Sequence, residues 1–484
     1  MKNMIKLSLA AVLATPAIMA NTTDADMQAQ LDALTQKIEK LEKKQKKQNK
    51  KITEVKKMAA KDNIKFGVDF RNTVESISYK YNDYSVPSYT DSSGSQPAQD
   101  ISGTTAGNPS LLTSRLYLTM AAAPMKGLIF KGKLAIYSTW GSHLYVDDAP
   151  LKDWSASSKP TDTVMRVKEA YFVYSNSIGE QPISFSIGRR PSSNGFLANY
   201  RENEDNAGSP AAHITNMEVN AAMVRLSWDR FISGAYTKFV YGRAHSGEMS
   251  NVYSAGGGVA YGPYALDSNS EDDSVDFFVM PGDAYNDGQY QIMYQWAHIF
   301  NTKGKNLTAA YPDNVKINAG TADLASLALK VDGIGEEISD FLDETMVFVS
   351  LAATTYDAKD GYTILGSGDG GTRNGYSYWI GTNFPDMMTD SGRFGLEYNH
   401  GSSGWTPMTW AEDTAIGSKV AVRGDAYEAY WNFDLFGVKY LPSQVRYTYV
   451  QHDYTPNVNC AGWVTPVAVD IEAQNLRFAV SYRY

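Results

Sequence analysis

A single cysteine, Cys460, stands in the whole chain, so no internal disulfide braces the fold, and the lone thiol reads as an incidental loop residue. Beyond the first twenty residues no uninterrupted apolar run is long enough for a transmembrane helix. Charged residues are only 20% of the chain and hydrophobic ones 43%, which excludes a disordered polyelectrolyte as well as a helical membrane protein. His143, His213, His245, His298, His400 and His452 are scattered without metal-ligand spacing. No Gly-x-Ser-x-Gly elbow occurs, and Gly257-Gly258 and Gly366–Gly371 lack the strand–loop–helix setting of a phosphate loop. Basic residues are not interleaved with aromatics on the acidic body, which argues against nucleic acid. The expectation is therefore a non-enzyme with no cofactor and no metal. The acidic runs Glu271-Asp272-Asp273 and Asp283–Asp287 read as solvated loops rather than calcium sites.

What the chain does have is aromatic residues, 32 Tyr, 18 Phe and 9 Trp. Tyr and Trp suit surfaces where an apolar ring ends in a polar tip, such as a membrane interface, although Tyr-rich soluble sandwiches also exist. Charge is distributed unevenly. Residues 1–65 carry 14 Lys/Arg against 7 Asp/Glu, leaving 30 against 46 for the rest. The basic N-terminal part and the acidic body should therefore face different partners.

Residues 1–20 have the form of a secretory signal peptide: Lys2 and Lys6, the apolar stretch Leu7–Leu13, Pro16, and a small residue, Ala20, before the cut. Residues 21–62 follow as a heptad pattern. Met27, Leu31, Leu34, Ile38, Leu41, Gln45, Gln48, Ile52, Val55 and Ala59 recur at steps of four and three, which places them on one helix seam. From Met27 to Ala59 the rod would be about 50 Å long at ~1.5 Å per residue. So narrow a seam needs a second copy to bury it, and Gln45 and Gln48 would form a polar layer that sets register; a solvated Lys-rich helix is the alternative. Its Lys run from Lys37 to Lys61 could meet anionic cell-wall polymers such as peptidoglycan.

From residue 63 to 484 the period becomes two. Leu476, Phe478, Val480, Tyr482 and Tyr484 are apolar or aromatic, with Arg477, Ala479, Ser481 and Arg483 between them. Similar alternation around Arg115–Met120, Phe130–Ile136, Gln289–Trp296, Arg393–Asn399 and Tyr427–Phe433 yields sixteen candidate strands between Ile64 and Tyr484. Connections between them alternate long and short, as in a transmembrane barrel. Eighteen strands is the alternative if Asn251–Gly262 and Asn301–Gly320 hold a further hairpin.

The terminal strand, with Phe478, Val480, Tyr482 and Tyr484 on one face, resembles the C-terminal assembly signal of bacterial outer-membrane barrels, which usually end in Phe. The connection from Pro191 to Thr215, between candidate strands five and six, opens after Gly188-Arg189-Arg190 and contains Arg201-Glu202-Asn203-Glu204-Asp205-Asn206. There the chain resembles the general diffusion porins, trimeric sixteen-stranded barrels whose third outer loop folds into the lumen. The resemblance implies that Glu202, Glu204 and Asp205 face Arg115, Lys131 and Lys133 across a constriction that Arg190 joins, with Arg166 or Lys168 as additions. Lys168 fits only if a bulge keeps Glu169 from the lipid face. A closer resemblance, strongest from Ser114 to Ser193 and carried by Gly188-Arg189-Arg190-Pro191, is to an uncharacterised bacterial outer-membrane family, a domain of unknown function. The Phe196-Leu197-Ala198 stretch departs from the Pro-containing continuation of that family.

The expectation is thus an all-β, sixteen-stranded outer-membrane barrel with a periplasmic coiled coil, acting as a passive channel for small hydrophilic solutes. A plugged structural or adhesive barrel is the alternative. Expected partners are outer-membrane lipid and lipopolysaccharide, the barrel assembly machinery, two further copies in a trimer, and peptidoglycan.

Overall fold

The computed structural model describes residues 64–484 except 87–88, 92–93, 97–98, 141–164, 192, 205–206, 209, 246–273, 309–314, 336–337, 390, 410–411 and 457–464. The signal peptide and the coiled-coil seam lie outside the described residues, as do Asp205 and Cys460. Sixteen long strands form the barrel: β1 (Lys65–Tyr81), β2 (Thr104–Met125), β3 (Leu128–Thr139), β4 (Met165–Ile178), β5 (Gln181–Arg190), β6 (Val219–Ser227), β7 (Tyr236–His245), β8 (Val275–Asn286), β9 (Tyr290–Asn306), β10 (Val315–Asp332), β11 (Met346–Ala358), β12 (Thr372–Pro385), β13 (Arg393–Gly401), β14 (Gly424–Asp434), β15 (Pro442–Tyr454) and β16 (Ala468–Arg483). Each pairs antiparallel with its sequence neighbour, and β16 closes the ring on β1. Tyr484 donates to the Val68 carbonyl at 2.9 Å and accepts from the Val68 amide at 2.8 Å. Closure leaves no open sheet edge, which a bilayer demands.

The sixteen-strand expectation holds. The stretch proposed as a possible extra hairpin at 301–320 instead lengthens β9 and β10. Asn251–Gly262 falls in an undescribed connection, but β7 and β8 on either side of it pair directly. Between β1 and β2 the chain forms two short ladders, Tyr84–Val86 with Gln99–Ile101 and Tyr89–Asp91 with Gly94–Gln96.

Alternation decides what each face meets. Phe70, Val74, Phe172, Phe185, Leu327, Leu351, Ile380, Leu396, Leu476 and Phe478 all project outward and are exposed. On β16 the intervening Asn475, Arg477, Ala479 and Ser481 are buried, so the polar set faces inward.

The inner wall is not uniform. From β8 to β11 the inward set is largely apolar and small: Phe277, Val279, Ala297, Ile299, Ala322, Leu324, Ala352 and Tyr356 belong to one buried cluster. Ile214 and Trp405, both at 0% exposure, come from two long connections and complete that cluster. A second cluster joins Phe196, Leu197, Ala198, Ala211 and Ala212 to Met293, Ala328, Phe348 and Trp379. The 191–218 and 402–423 connections therefore fold inside the barrel and pack against its apolar half. Burying side chains here contributes as in any soluble core, roughly 1.5–3 kcal/mol for each large one.

Candidate pore constriction

The sequence places the first loop where it does through two glycines. Gly188, on β5, has φ +130, and a Cβ there would lie 2.2 Å from the Ala170 carbonyl on β4. Gly195 carries no space either: a Cβ would meet the Pro210 carbonyl at 1.8 Å. The chain thus turns inward after Pro191 and doubles back on itself through the Gly195–Gly208 bridge. A single helical turn, α1 (Ala198–Arg201), follows Leu197, which sits in the left-handed region at φ 82.

Polar contacts then fix the loop to the wall. The Ala211 amide donates to Gln295 Oε1 at 2.6 Å, and Gln295 Nε2 donates to Thr215 Oγ1 at 3.1 Å. His213 is fully buried between Ser350 Oγ at 2.8 Å and Ser377 Oγ at 2.9 Å, against Trp379 and Trp405. Burial pushes its imidazole down to about 3, so it is neutral at physiological pH. The Asn216 amide donates to the Met408 carbonyl at 2.8 Å and the Met408 amide donates to the Ile214 carbonyl at 3.0 Å, which ties the two inserted loops together. Trp405 Nε1 donates to the Val420 carbonyl at 2.7 Å, and Arg423 Nε donates to the Trp405 carbonyl at 2.9 Å.

The remaining wall is basic. At least one Lys or Arg of inward parity stands on each of seven consecutive strands, among them Arg446 on β15, Arg477 on β16, Arg71 on β1, Arg115 on β2, Lys133 on β3, Lys168 on β4 and Arg190 on β5. Register brings several of them side by side, with Arg446 opposite Arg477 and Arg71 opposite Arg115. Lys168 reaches this band because of a bulge. Lys133 pairs with Glu169 but Leu134 with Val167, so both Lys168 and Glu169 face inward. Lys133 Nζ lies 2.5 Å from Glu169, and Lys168 is bonded to Glu218.

Each inserted loop brings acids to this band. Glu202 Oε1 accepts from Arg446 at 2.9 Å and from Arg201 at 3.0 Å. Burial alone would raise its carboxyl, but Arg446 and Arg201 hold it at about 2. Arg201 is itself buried and lies 2.7 Å from Glu412 and 3.6 Å from Glu428. Asp413, at the tip of the second loop, meets Arg71 at 2.6 Å, Arg115 at 2.9 Å and Arg477 at 3.6 Å. Its carbonyl accepts from Arg477 at 2.9 Å and Arg446 at 3.1 Å. Against its own burial, those arginines keep its carboxyl well below the usual range. Lys419 holds the root of the same loop to Glu397 and Glu428.

Cavities lie along this basic wall, three of which bear on the constriction. The first, about 400 Å³, is lined by Leu111, Thr113, Tyr137, Thr139 and Asp413 at the loop end. The second, about 250 Å³, is lined by Tyr117, Lys168, Asn194, Glu218 and Glu412. The third, about 30 Å³, is lined by Glu202, Glu204, Ser443, Ser481 and Arg483 at the turn end. Arg115 lines all three.

Of the residues singled out from sequence, Arg115, Glu202 and Glu204 thus line the smallest of these three cavities. Glu204 accepts from Asn194 Nδ2 at 3.1 Å. Lys133 is engaged with Glu169, and Lys131 is exposed on the same strand nearer the turn end. Arg190 bonds Ser186 and stacks over Tyr171 at 5.0 Å. Sequence reasoning left out Arg71, Arg446, Asp413 and Glu412, and did not assign Arg477 to the lumen. Parity would have found the arginines; nothing short of the fold would have found the acids. Among the described residues no group of three or more His, Cys, Asp or Glu is disposed to hold a metal.

The family described as "Protein of unknown function (DUF3373)" matches residues 105–481. No curated protein matches the chain. Among solved structures, an anion-selective porin from Comamonas acidovorans is similar at 13% identity and a TM-score of 0.45, over 87% of this chain and 99% of that one. OmpT, an outer membrane protein of Vibrio cholerae, gives 11% and 0.43, over 87% and 97%. The outer membrane channel DcaP of Acinetobacter baumannii gives 13% and 0.40, over 87% and 97%.

Proposed function

The chain belongs to the DUF3373 family, whose function is unknown, and from the geometry of its barrel we propose that it is a passive outer-membrane channel for small hydrophilic solutes. The observation that carries this reading is the row of three cavities along the basic wall, each touching Arg115. Opposed fixed charges across a wet constriction select solutes by size and charge. Here the positive side is the seven-strand band, and the negative side is Glu202, Glu204, Glu412 and Asp413 on the inserted loops. Asp205 adjoins Glu204 in sequence and belongs to the same acidic run. Lys131 and Lys133 guide solutes at the flank of the constriction rather than at its centre.

A second reading, a barrel without an open pore, is favoured by the third cavity, whose 30 Å³ accommodates about one water. Current through the purified full-length protein in planar bilayers separates the two. Stable steps support the channel; their absence supports a structural barrel.

The heptad segment Leu31–Val55 would hold three barrels together in the periplasm or tether them to peptidoglycan. The outward face of β16 would present Phe478, Val480 and Tyr482 to the barrel assembly machinery, with Tyr484 beyond its end. Lipopolysaccharide is the expected neighbour of the loop end. Sedimentation of a peptide spanning residues 25–62 tests the self-association.

A further inference from the structure

Asp413 occupies its position in an unusual way for a loop residue. Four arginines from four consecutive strands converge on it, and all four are at least nine-tenths buried: Arg71 at 8% exposure, Arg115 at 5%, Arg446 at 4% and Arg477 at 3%. Strand order and register fix these side chains on the rigid wall, so the cradle does not depend on the loop. Arg115 also meets Asp69 at 3.2 Å and Arg477 meets Glu75 at 3.5 Å, while Arg446 pairs with Glu202 and reaches Asp413 through its main-chain carbonyl. The carboxylate of Asp413 takes Arg71 and Arg115 on Oδ2 and has Arg477 at 3.6 Å from Oδ1, so three guanidinium groups surround one carboxylate.

The occupant, unlike the cradle, belongs to an inserted loop rather than to the wall. The loop is anchored at its two roots, by Trp405 at one and by Lys419 and Arg423 at the other, and near its tip by Glu412 on Arg201 and by the Asp413 carbonyl on Arg446 and Arg477. Its tip reaches across the lumen between the cavities of about 400 and 250 Å³, both of which it lines. The Asp413 side chain is 26% exposed, against 6–10% for Arg71 and Arg115. The Asp413 carboxylate therefore stands where two cavities meet, each large enough for several water molecules.

We propose that Arg71, Arg115, Arg446 and Arg477 form a binding site for small carboxylate solutes, and that Asp413 is its tethered occupant, which an arriving carboxylate displaces. This deepens the channel reading and rests on it for transport, but the binding itself does not require conduction. A tethered group competes at its effective concentration, in the millimolar range for short connections. The unaltered protein should accordingly bind a free carboxylate weakly. Removing the tethered carboxylate should expose the site.

The test is calorimetric titration of succinate into the folded, detergent-purified full-length protein, with inorganic phosphate and propylamine as controls. Asp413→Asn should bind succinate about tenfold or more tightly than the unaltered chain. Asp413→Asn combined with Arg115→Gln should lose that gain, and propylamine should bind to neither. Asp413→Ser serves as a second neutral variant if the first does not fold. Equal succinate affinity in the unaltered chain and in the folded neutral variant would overturn the proposal, making Asp413 a permanent pin. Phosphate binding the neutral variant as tightly as succinate would also overturn it, since the site would then read charge rather than carboxylate. Absence of current in bilayers would remove the channel reading and leave the binding result standing on its own.

Discussion

The two halves of this barrel use the same sheet for opposite purposes. Along β8–β12 the inward side chains are Phe277, Val279, Ala297, Leu324, Ala352 and Trp379, and two loops cover them. Along β15, β16 and β1–β5 each strand sets a cation inward, and the space beside it stays open. The loops bury apolar residues such as Leu197, Ile214 and Trp405 toward the first half, and turn Glu202, Glu412 and Asp413 toward the second. The comparison teaches that a lumen need not be polar all round. An apolar half-wall can hold a plug by ordinary core packing, and the plug then supplies one side of the charged passage.

The largest break in this comparison should come at the seam, at Arg201. It is buried among Glu202, Glu412 and Glu428. Arg201→Ala leaves Glu412 without the cation it meets, while Glu202 keeps Arg446 and Glu428 keeps Lys419, a loss of about 3–5 kcal/mol for a broken buried pair. Thermal melting followed by near-ultraviolet dichroism should fall, and single-channel conductance should rise as the loops leave the wall. A variant with unchanged melting and conductance would show that the loops do not depend on this seam.

A smaller effect should follow inside the dry half. Trp405→Phe keeps an aromatic ring against His213 but removes the donor to the Val420 carbonyl. An unsatisfied buried group costs about 1–3 kcal/mol. Current noise should increase while mean selectivity stays the same, because the basic wall is untouched. A change in reversal potential without extra noise would point to a role for Trp405 in the passage itself.

Acid should weaken the charged side of the plug in a defined window. Glu202 has an ordinary value of 4.5 and is held at about 2 by Arg446 and Arg201 against its own burial. Its folded value is depressed, so its contribution is complete above about pH 4.5 and is lost as pH falls toward 2. Asp413 is displaced in the same direction. Conductance fluctuations should be unchanged from pH 7 to 5 and grow below 4.5, and Arg446→Gln should move the onset upward. Fluctuations that begin near pH 6 and are insensitive to Arg446 would assign the transition to other groups.

The smallest effect is expected at the edge of the basic band. Lys133 is a quarter exposed and its partner Glu169 is on the neighbouring strand. Lys133→Gln should alter stability by less than about 1 kcal/mol, as partly exposed ion pairs do, with only a slight shift of reversal potential toward cations. A shift as large as that of Arg115→Gln would move the centre of selectivity to β3.

Much of this was legible before folding. Period-two alternation marked sixteen strands because each strand has to satisfy lipid on one side, whereas Gly188-Arg189-Arg190-Pro191 carried only a family resemblance, and the need for glycine at φ +130 against Ala170 shows only in the fold. Arg115, Glu202 and Glu204 were identifiable from parity and strand order. The inward path of the 402–423 loop has no comparable signal, since its Trp405, Lys419 and Arg423 have partners in β13, β14 and its own backbone that are distant or unremarkable in sequence. The apolar half-wall had a signal that went unused. The β10 run Ala322–Leu329 and the β11 run Met346–Ala353 have few polar residues on either face, which a water-filled lumen would not permit. Four arginines on four strands were separately visible, but their convergence on Asp413 is set by register and by a loop path that no local pattern encodes.

Thiol accessibility tests the division of the lumen most directly. With Cys460→Ser as background, single cysteines are placed at Thr113 and Lys133 on the basic wall and at Ala297 and Ala352 on the apolar wall. A small charged methanethiosulfonate reagent is then added to the folded protein, and modification is followed by mass and by current. The basic-wall cysteines should react within minutes and change the current, while Cys at 297 and 352 should stay unmodified until the protein is unfolded. Rapid modification at Ala297→Cys and Ala352→Cys, with Thr113→Cys and Lys133→Cys protected, would contradict it.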